Sequence, residues 1–351
     1  MVDRPRLLIT GGAGFIGRST VRLAVKKGYH VTVLDNFVFA NRAQARRAFG
    51  NSPSVELVDG DTRNFDLMKK LVSRSDHVIH LAAASSFIMH VENDLEVSNY
   101  TMMGFKTIWE AMRLDGRIKK GVWASTSAVY EERPEDEPRV PFHEGLSIHP
   151  PDSKAGCKWW CEQEAQRYSD NFGITSVAFR PFSVYGVGEH TKKGYANVTS
   201  LFTWAMMKGH QPTVWAPGTQ TRDFIFVEDA ARAFLMAVEN DKLPTTALNL
   251  GYGIEHSFLD VIEIIGQELG VKPEPVFKGV PIDIYARRLW ADMTKTKELL
   301  GFTPEVDLRE GIRRIIKTAE KLSPKTWEEF ELENAQHYCD KLDKPALTPV
   351  V

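Results

Sequence analysis

The stretch RLLITGGAGFIG, from Arg6 to Gly17, decides the reading of this chain. Arg6 to Thr10 is a short apolar run of the kind that forms a strand buried on both faces of a parallel sheet. It runs straight into Thr10-Gly11-Gly12-Ala13-Gly14-Phe15-Ile16-Gly17, and a helical stretch then continues to Lys27, with Gly28 at the position of a helix C-cap. A glycine-rich turn between a strand and a helix lets the backbone come close to a pyrophosphate, and the helix N-terminus offers it N–H groups and positive dipole. Downstream, His30 to Asp35 (HVTVLD) reads as a second strand ending in an acid 18 residues after Gly17. An acid there accepts hydrogen bonds from an adenosine ribose and repels a 2′-phosphate, which favours NAD over NADP.

Outward from this unit the alternation repeats. Strands are expected at Ser54 to Asp59, Asp76 to Leu81, Gly121 to Ser125 and Ile174 to Phe179, with helices between them, notably Asp94 to Leu114 and Lys154 to Phe172. Strand–helix alternation with short buried strands predicts an α/β fold, a Rossmann-type doubly wound parallel sheet with helices on both faces. After about Tyr185 glycine and proline become frequent, as in GVGEHTKKG and QPTVWAPGTQ. Later helices at Phe258 to Leu269 and Leu308 to Leu322 are separated by proline-containing segments, the pattern of a smaller, loop-rich lobe. The expected division is a dinucleotide-binding domain over 1–186, with 220–250 returning to it. A substrate lobe takes 187–219 and 251–322, and a charged tail follows over 323–351. There is no internal repeat.

Composition sets outer limits. The 351 residues are 43% hydrophobic and 26% charged, which suits a globular protein with a full core. Lys and Arg number 44 against 46 Asp and Glu, so no basic surplus exists to neutralise nucleic acid or an anionic membrane. Three cysteines make no disulfide framework and point to a reducing, cytoplasmic setting. No stretch is long and apolar enough for a transmembrane helix. Cys157 and Cys161 are four apart, but further ligands at metal-binding spacing are lacking, so no metal is expected.

The spacing Gly11, Gly14, Gly17 resembles that of the extended short-chain dehydrogenases/reductases, the NAD-dependent epimerase/dehydratase family. The resemblance runs from Arg6 to about Ile316. It is carried further by Gly60-Asp61, by His80-Leu81-Ala82-Ala83, and by Ser125-Thr126-Ser127-Ala128-Val129-Tyr130. Arg180 to Gly186 (RPFSVYG), Arg222 to Asp229 (RDFIFVED), Asn249-Leu250-Gly251 and Leu299 to Pro304 (LLGFTP) complete it. The resemblance implies NAD contacts from Gly11, Gly14, Phe15, Ile16, Gly17, Asp35, Asn36, Asp61, Thr62, Leu81, Ala82, Ala83 and Lys158. It implies substrate contacts from Ser183 and Arg222, a nucleotide-activated sugar as substrate, and a homodimer built on the helices near 94–114 and 154–172. Trp159 and Trp160 belong to that interface or to the core.

The catalytic helix of the family reads P-x-x-x-Y-x-x-x-K-x-x-x-E. Here Pro150, Lys158 and Glu162 fit without a gap, and Lys154 occupies the tyrosine position. Two other positions differ: Thr101 and Ser183 stand where the family has asparagines. Ser127 and Ala128 also differ from the Asp-Glu pair of the sugar 4,6-dehydratases, and the glutamate typical of the decarboxylases is lacking. Lys154 and Lys158, one helical turn apart, share a helix face and are expected to depress each other's pKa. A lysine so depressed serves as a general base, with Thr126 on the reacting hydroxyl. The resemblance therefore implies an NAD-dependent nucleotide-sugar epimerase with an atypical proton-transfer residue. A dehydratase, decarboxylase or dehydrogenase, or a non-catalytic binding subunit, remain as alternatives. His90, His143 and His149 are further candidate proton donors, each read as a surface residue, and His80 is read as a hydrogen-bonded core residue.

Overall fold

The computed structural model describes residues 4–85, 87–130, 140–279 and 287–321. The acidic loop Glu131 to Arg139 and the tail over 323–351 lie outside the described residues. In chain order the first half runs β1 (Arg6–Thr10), α1 (Phe15–Lys26), β2 (His30–Asp35), α2 (Arg42–Phe49), β3 (Val55–Asp59), α3 (Phe65–Val72), β4 (His77–His80), α4 (Phe87–Asp115), β5 (Lys120–Ala124), α5 (Ser153–Phe172) and β6 (Thr175–Pro181). The second half runs β7 (Ser183–Tyr185), α6 (Val198–Met207), β8 (Thr213–Trp215), β9 (Thr221–Phe226), α7 (Val227–Glu239), β10 (Thr246–Leu250), β11 (Glu255–Ser257), α8 (Phe258–Leu269), β12 (Val276–Lys278), β13 (Arg288–Leu289), α9 (Thr294–Leu300) and α10 (Leu308–Ala319).

Seven strands form one parallel sheet in the order β10-β6-β5-β4-β1-β2-β3. This is the doubly wound α/β architecture that the strand–helix alternation predicts. The chain reverses direction of winding at β1, whose neighbours are β2 and β4, and ligands of such sheets bind outside the strand ends at that point. A smaller sheet holds β11 antiparallel to β9, with β13 and β7 parallel to it. β9 thus lies in the small sheet, while α7 and β10, from the same 220–250 region, pack on the large one.

Period-two alternation along β1 fixes which side chain enters which layer. Leu7 and Ile9 join Val31, Val33 and Phe234 on one face, and Leu8 joins Leu34, Val78 and Trp123 on the other. All are buried, so β1 reads as a continuous apolar run. On the α4–α5 side Phe105 and Trp109 stack with centroids 3.9 Å apart. A Cβ at Gly121 on β5 would meet the Trp109 ring at 2.7 Å, which explains a glycine in mid-strand. The third core joins Tyr185, Phe224, Phe226, Val261 and Ile312 beneath the smaller sheet.

Several boundaries differ from expectation. β5 covers Lys120–Ala124, one residue earlier than read, because Lys120 takes part in the ladder opposite Thr175. β3 and β4 are shorter at their ends, and β6 runs on to Pro181. α4 is two helices that meet at a kink at Asn93 (φ −156°, ψ 67°): the helix expected from Asp94 begins there, and a short helix over 87–92 precedes it.

Candidate active site

A cleft of about 780 Å³ opens along the carboxyl ends of β1, β2, β4, β5 and β6. At its floor Gly11 has φ +69°, and a Cβ there would stand 2.6 Å from the Ala82 nitrogen. A Cβ on Gly17 would stand 2.2 Å from the Gly11 carbonyl oxygen. Both positions therefore require glycine. Gly14 is the N-cap of α1 and no side chain caps the helix, so the first-turn N–H groups, on residues that line the cleft, have no side-chain acceptor. Those open donors fit a pyrophosphate.

Asp35 ends β2 at the cleft wall, where Oδ2 accepts from the Ala13 N–H (3.1 Å) and Oδ1 from the Phe37 N–H (2.9 Å). Burial raises its pKa, and the two backbone bonds oppose the shift. Phe37 sits at φ +58°, a left-handed turn that carries the chain past the carboxylate. Asn36 and Thr62 line the cleft with Leu81, Ala82 and Ala83. Asp61 does not. Its carboxylate accepts from Asn36 Nδ2 (3.1 Å) and from Arg63 Nε and Nη2 (3.0 Å each). Burial works against the charge, but Arg63 holds the Asp61 carboxyl below its ordinary value.

Thr126, Lys154, Lys158 and Ser183 meet at the other end of the cleft, with Phe15 and Ile16 beneath them. Thr126 Oγ1 caps a short 3-10 turn by accepting from the Ala128 N–H (3.2 Å). Lys158 Nζ donates to the Ala124 carbonyl (2.7 Å), and burial pushes its pKa down to about 8, with Lys154 adding to the push and Cys161 opposing it. Lys154 sits in the first turn of α5, which Asp152 caps by accepting from the Ala155 N–H (2.8 Å). The expectation of two lysines depressing each other holds in one direction only. The Lys154 pKa is lowered first by burial, then by Lys192, with Asp152 opposing. Among the described residues Lys154 Nζ makes no hydrogen bond or ion pair.

Other candidates fall elsewhere. Arg222 on β9 lies outside the cleft lining; its Nη1 donates to the Thr221 carbonyl (2.7 Å) and its guanidinium lies 5.7 Å from the Phe258 ring centre. It pairs in register with Leu289, which does line the cleft. His80 is core: Nδ1 lies 2.7 Å from Thr10 Oγ1, and burial pushes its pKa to about 3, so it is neutral. His143 and His149 are exposed and do not line the cleft. His90 is not a surface residue as read; it is buried on α4 with Nδ1 3.0 Å from Asp94 Oδ1. Trp159 packs beside Val129, Tyr130 and Phe142, and Trp160 against the α4 side of the sheet.

The structure adds groups that sequence reasoning did not single out. Beneath the reacting end, Arg180 Nε and Nη2 donate to Glu162 (3.0 and 2.6 Å), and Nη1 donates to Tyr130 Oη (2.9 Å). Tyr130 donates in turn to Asn249 Oδ1 (2.7 Å), and Ser125 to Glu162 (2.5 Å). Burial holds the Tyr130 hydroxyl well above its ordinary pKa, so it is no substitute for a proton-transfer tyrosine. Lys192, Tyr195 and Asn197, from the loop before α6, line the cleft as well. Among the described residues no group of three or more His, Cys, Asp or Glu could hold a metal ion, and no helix is long and apolar enough to cross a membrane.

Residues 7–251 match the model of the NAD dependent epimerase/dehydratase family, about two thirds of the chain and all of the cleft's floor. The chain belongs to that family. It is an enzyme of the family, and NAD is its cofactor. Among curated relatives, the UDP-glucose 4-epimerase of Mycolicibacterium smegmatis is 30% identical over 314 residues, covering 89% of this chain and 97% of that protein. The UDP-N-acetyl-alpha-D-glucosaminuronate decarboxylase of Bacillus cytotoxicus is 32% identical over 326 residues, covering 90% and 97%. Among solved structures, the UDP-glucose 4-epimerase of Thermotoga maritima with UDP-glucose superposes with a TM-score of 0.82 at 27% identity, covering 90% of this chain and 99% of that one.

Proposed function

We propose that this protein is a nucleotide-sugar epimerase that works through a transient keto sugar and moves the hydroxyl proton with Lys154. The observation that carries the reading is the half-buried Lys154 side chain, without a partner among the described residues and lining the cleft one helical turn from Lys158. Bound NAD supplies the redox chemistry. Gly11, Gly14, Phe15, Ile16 and Gly17 would hold its pyrophosphate and Asp35 its adenosine ribose, Asn36, Thr62, Leu81, Ala82 and Ala83 would frame the rest, and Asp61 would act from behind the lining by fixing Asn36. Lys158, anchored on the Ala124 carbonyl, keeps two N–H donors for the nicotinamide ribose. Thr126 Oγ1 already accepts from the Ala128 N–H, so its own hydrogen is free to donate to the sugar oxygen. Lys154, whose pKa burial lowers, accepts the sugar hydroxyl proton in its neutral form and returns it after the other face has been presented. Ser183 and Arg222 hold the substrate's diphosphate, the latter once the smaller lobe closes.

The same reading divides the chain into an NAD-binding unit over 1–186 joined by α7 and β10 of the 220–250 region, and a substrate lobe over 187–219 and 251–322, to whose sheet β9 belongs. The outer faces of α4 and α5, where Met103, Leu114 and Phe172 are exposed, pair with a second copy, which light scattering tests by mass. Buried free thiols at Cys157 and Cys161 suit a cytoplasmic setting.

The experiment is turnover in D₂O of UDP-glucose, UDP-N-acetylglucosamine and UDP-glucuronate, followed by proton NMR. The reading expects inversion at one carbon, no solvent deuterium at that carbon, and no net accumulation of reduced cofactor. Loss of CO₂, loss of water, or stoichiometric cofactor reduction would each assign a different reaction.

A further inference from the structure

The charges lining the cleft are unevenly placed. Asp35, at the adenosine-ribose end, is the one carboxylate among the lining residues, whereas Lys154, Lys158 and Lys192 crowd the reacting end. Lys158 is committed to the Ala124 carbonyl, and Lys154 has no partner among the described residues. Lys192 is the third, and the fold goes to some length to hold it there.

Lys192 Nζ donates to Glu189 Oε1 at 3.0 Å. Glu189 is fully buried, and it also accepts from the Asn197 N–H (2.8 Å) and Ser200 Oγ (2.6 Å) at the start of α6. Its carboxylate is therefore satisfied by three donors and holds Lys192 in place. The loop carrying Lys192 is tied to α1 from the other side, where Arg18 Nη2 donates to the Gly188 carbonyl (2.8 Å) and Thr191 Oγ1 (2.6 Å). Lys192 Nζ itself lies 5.5 Å from the Phe15 ring centre, with two N–H donors left for the cleft. Its charge reaches Lys154, whose pKa it helps to lower.

We propose that the substrate's sugar carries its own negative charge, a carboxylate, and that Lys192 is the residue that recognises it. This rests on the epimerase reading of the same cleft. A neutral sugar would leave the two remaining N–H donors of Lys192, which Glu189 holds at the reacting end, with no charged acceptor there. A carboxylate answers Lys192 with a charge-assisted hydrogen bond in a partly desolvated cleft, where such bonds are strongest. Lys154 keeps its role as base on the sugar hydroxyl, while Lys192 takes the carboxylate. The Bacillus cytotoxicus relative is named for a glucosaminuronate, a sugar of this class.

The test is calorimetric titration of the NAD-loaded protein with UDP, UDP-glucose and UDP-glucuronate, for the native chain, Lys192→Met and Lys192→Arg. The native protein is expected to bind UDP-glucuronate about tenfold or more tighter than UDP-glucose. Lys192→Met removes that preference while leaving UDP, UDP-glucose and NAD affinities within about twofold, and Lys192→Arg retains most of it. Equal native affinity for the two sugars overturns the proposal. So does a Lys192→Met variant that weakens all three nucleotides alike, which assigns Lys192 to the diphosphate, or one that loses NAD, which assigns it to the cofactor. If UDP-glucose is epimerised and the uronate does not bind, the acidic-sugar proposal falls and the epimerase reading stands; if neither sugar nucleotide is bound or converted, both fall.

Discussion

Arg180→Met should be among the most damaging single changes outside the cleft. The Arg180 and Glu162 side chains are 3% and 7% exposed, and the guanidinium makes three hydrogen bonds, two to Glu162 and one to Tyr130 Oη. Methionine fills a similar volume, but Glu162 would be left buried with Ser125 as its remaining donor. Removing one partner of a buried ion pair costs about 3–5 kcal/mol, because the other charge stays desolvated. At about 1.4 kcal/mol per tenfold, the unfolding constant rises by roughly two to four decades. Urea titration followed by tryptophan fluorescence reads this directly as a lowered midpoint at unchanged slope. The double variant Arg180→Met/Glu162→Leu should recover most of the loss, since apolar replacement of a whole buried pair is often close to neutral. An Arg180→Met protein unfolding at the native midpoint would refute the argument, as would a double variant less stable than the single one.

Gly17→Ala should abolish NAD binding, since its Cβ would lie 2.2 Å from the Gly11 carbonyl oxygen; fluorescence titration with NAD checks it, and native affinity would contradict it. NAD should bind the native protein far better than NADP, and Asp35→Ser should narrow that gap by admitting the 2′-phosphate, as measured by calorimetry. The rate of turnover should rise with pH on the acid limb. Lys154 is lowered by burial and by Lys192, so the neutral base grows in as pH climbs through a value below the ordinary lysine 10.5. A rate that falls over that limb would assign the proton to a group active in its charged form.

The sheet was legible because its signals are local. Leu7, Leu8 and Ile9 are apolar in a row because both faces of β1 are covered, and the glycines after them admit one backbone path. The same locality explains the misreadings. Lys120 looks like a poor strand residue until its ammonium is seen to donate to the Val238 and Asn240 carbonyls, more than a hundred residues away. The short helix over 87–92, before the kink at Asn93, packs Met89 beside Ala84 and Tyr195, a contact no local pattern announces. In the site, Gly11, Asp35, Thr126, Lys154 and Lys158 could be found from motif spacing. Lys192 could not, for GVGEHTKKG reads as a polar loop. Its place in the cleft depends on Arg18, 173 residues from Thr191, and on a glutamate buried at the start of α6.

The central claim is that Lys154 carries the proton. Its most direct test is the single-turnover rate of the NAD-loaded Lys154→Met variant on the true substrate, measured beside its NAD affinity. Loss of a positioned general base commonly costs about 10²–10⁴-fold in rate. The account predicts a loss in that range with NAD affinity unchanged, because it assigns the dinucleotide's contacts to the glycine loop, Asp35 and Lys158. A variant that turns over at the native rate would contradict it and return the proton to another group lining the cleft.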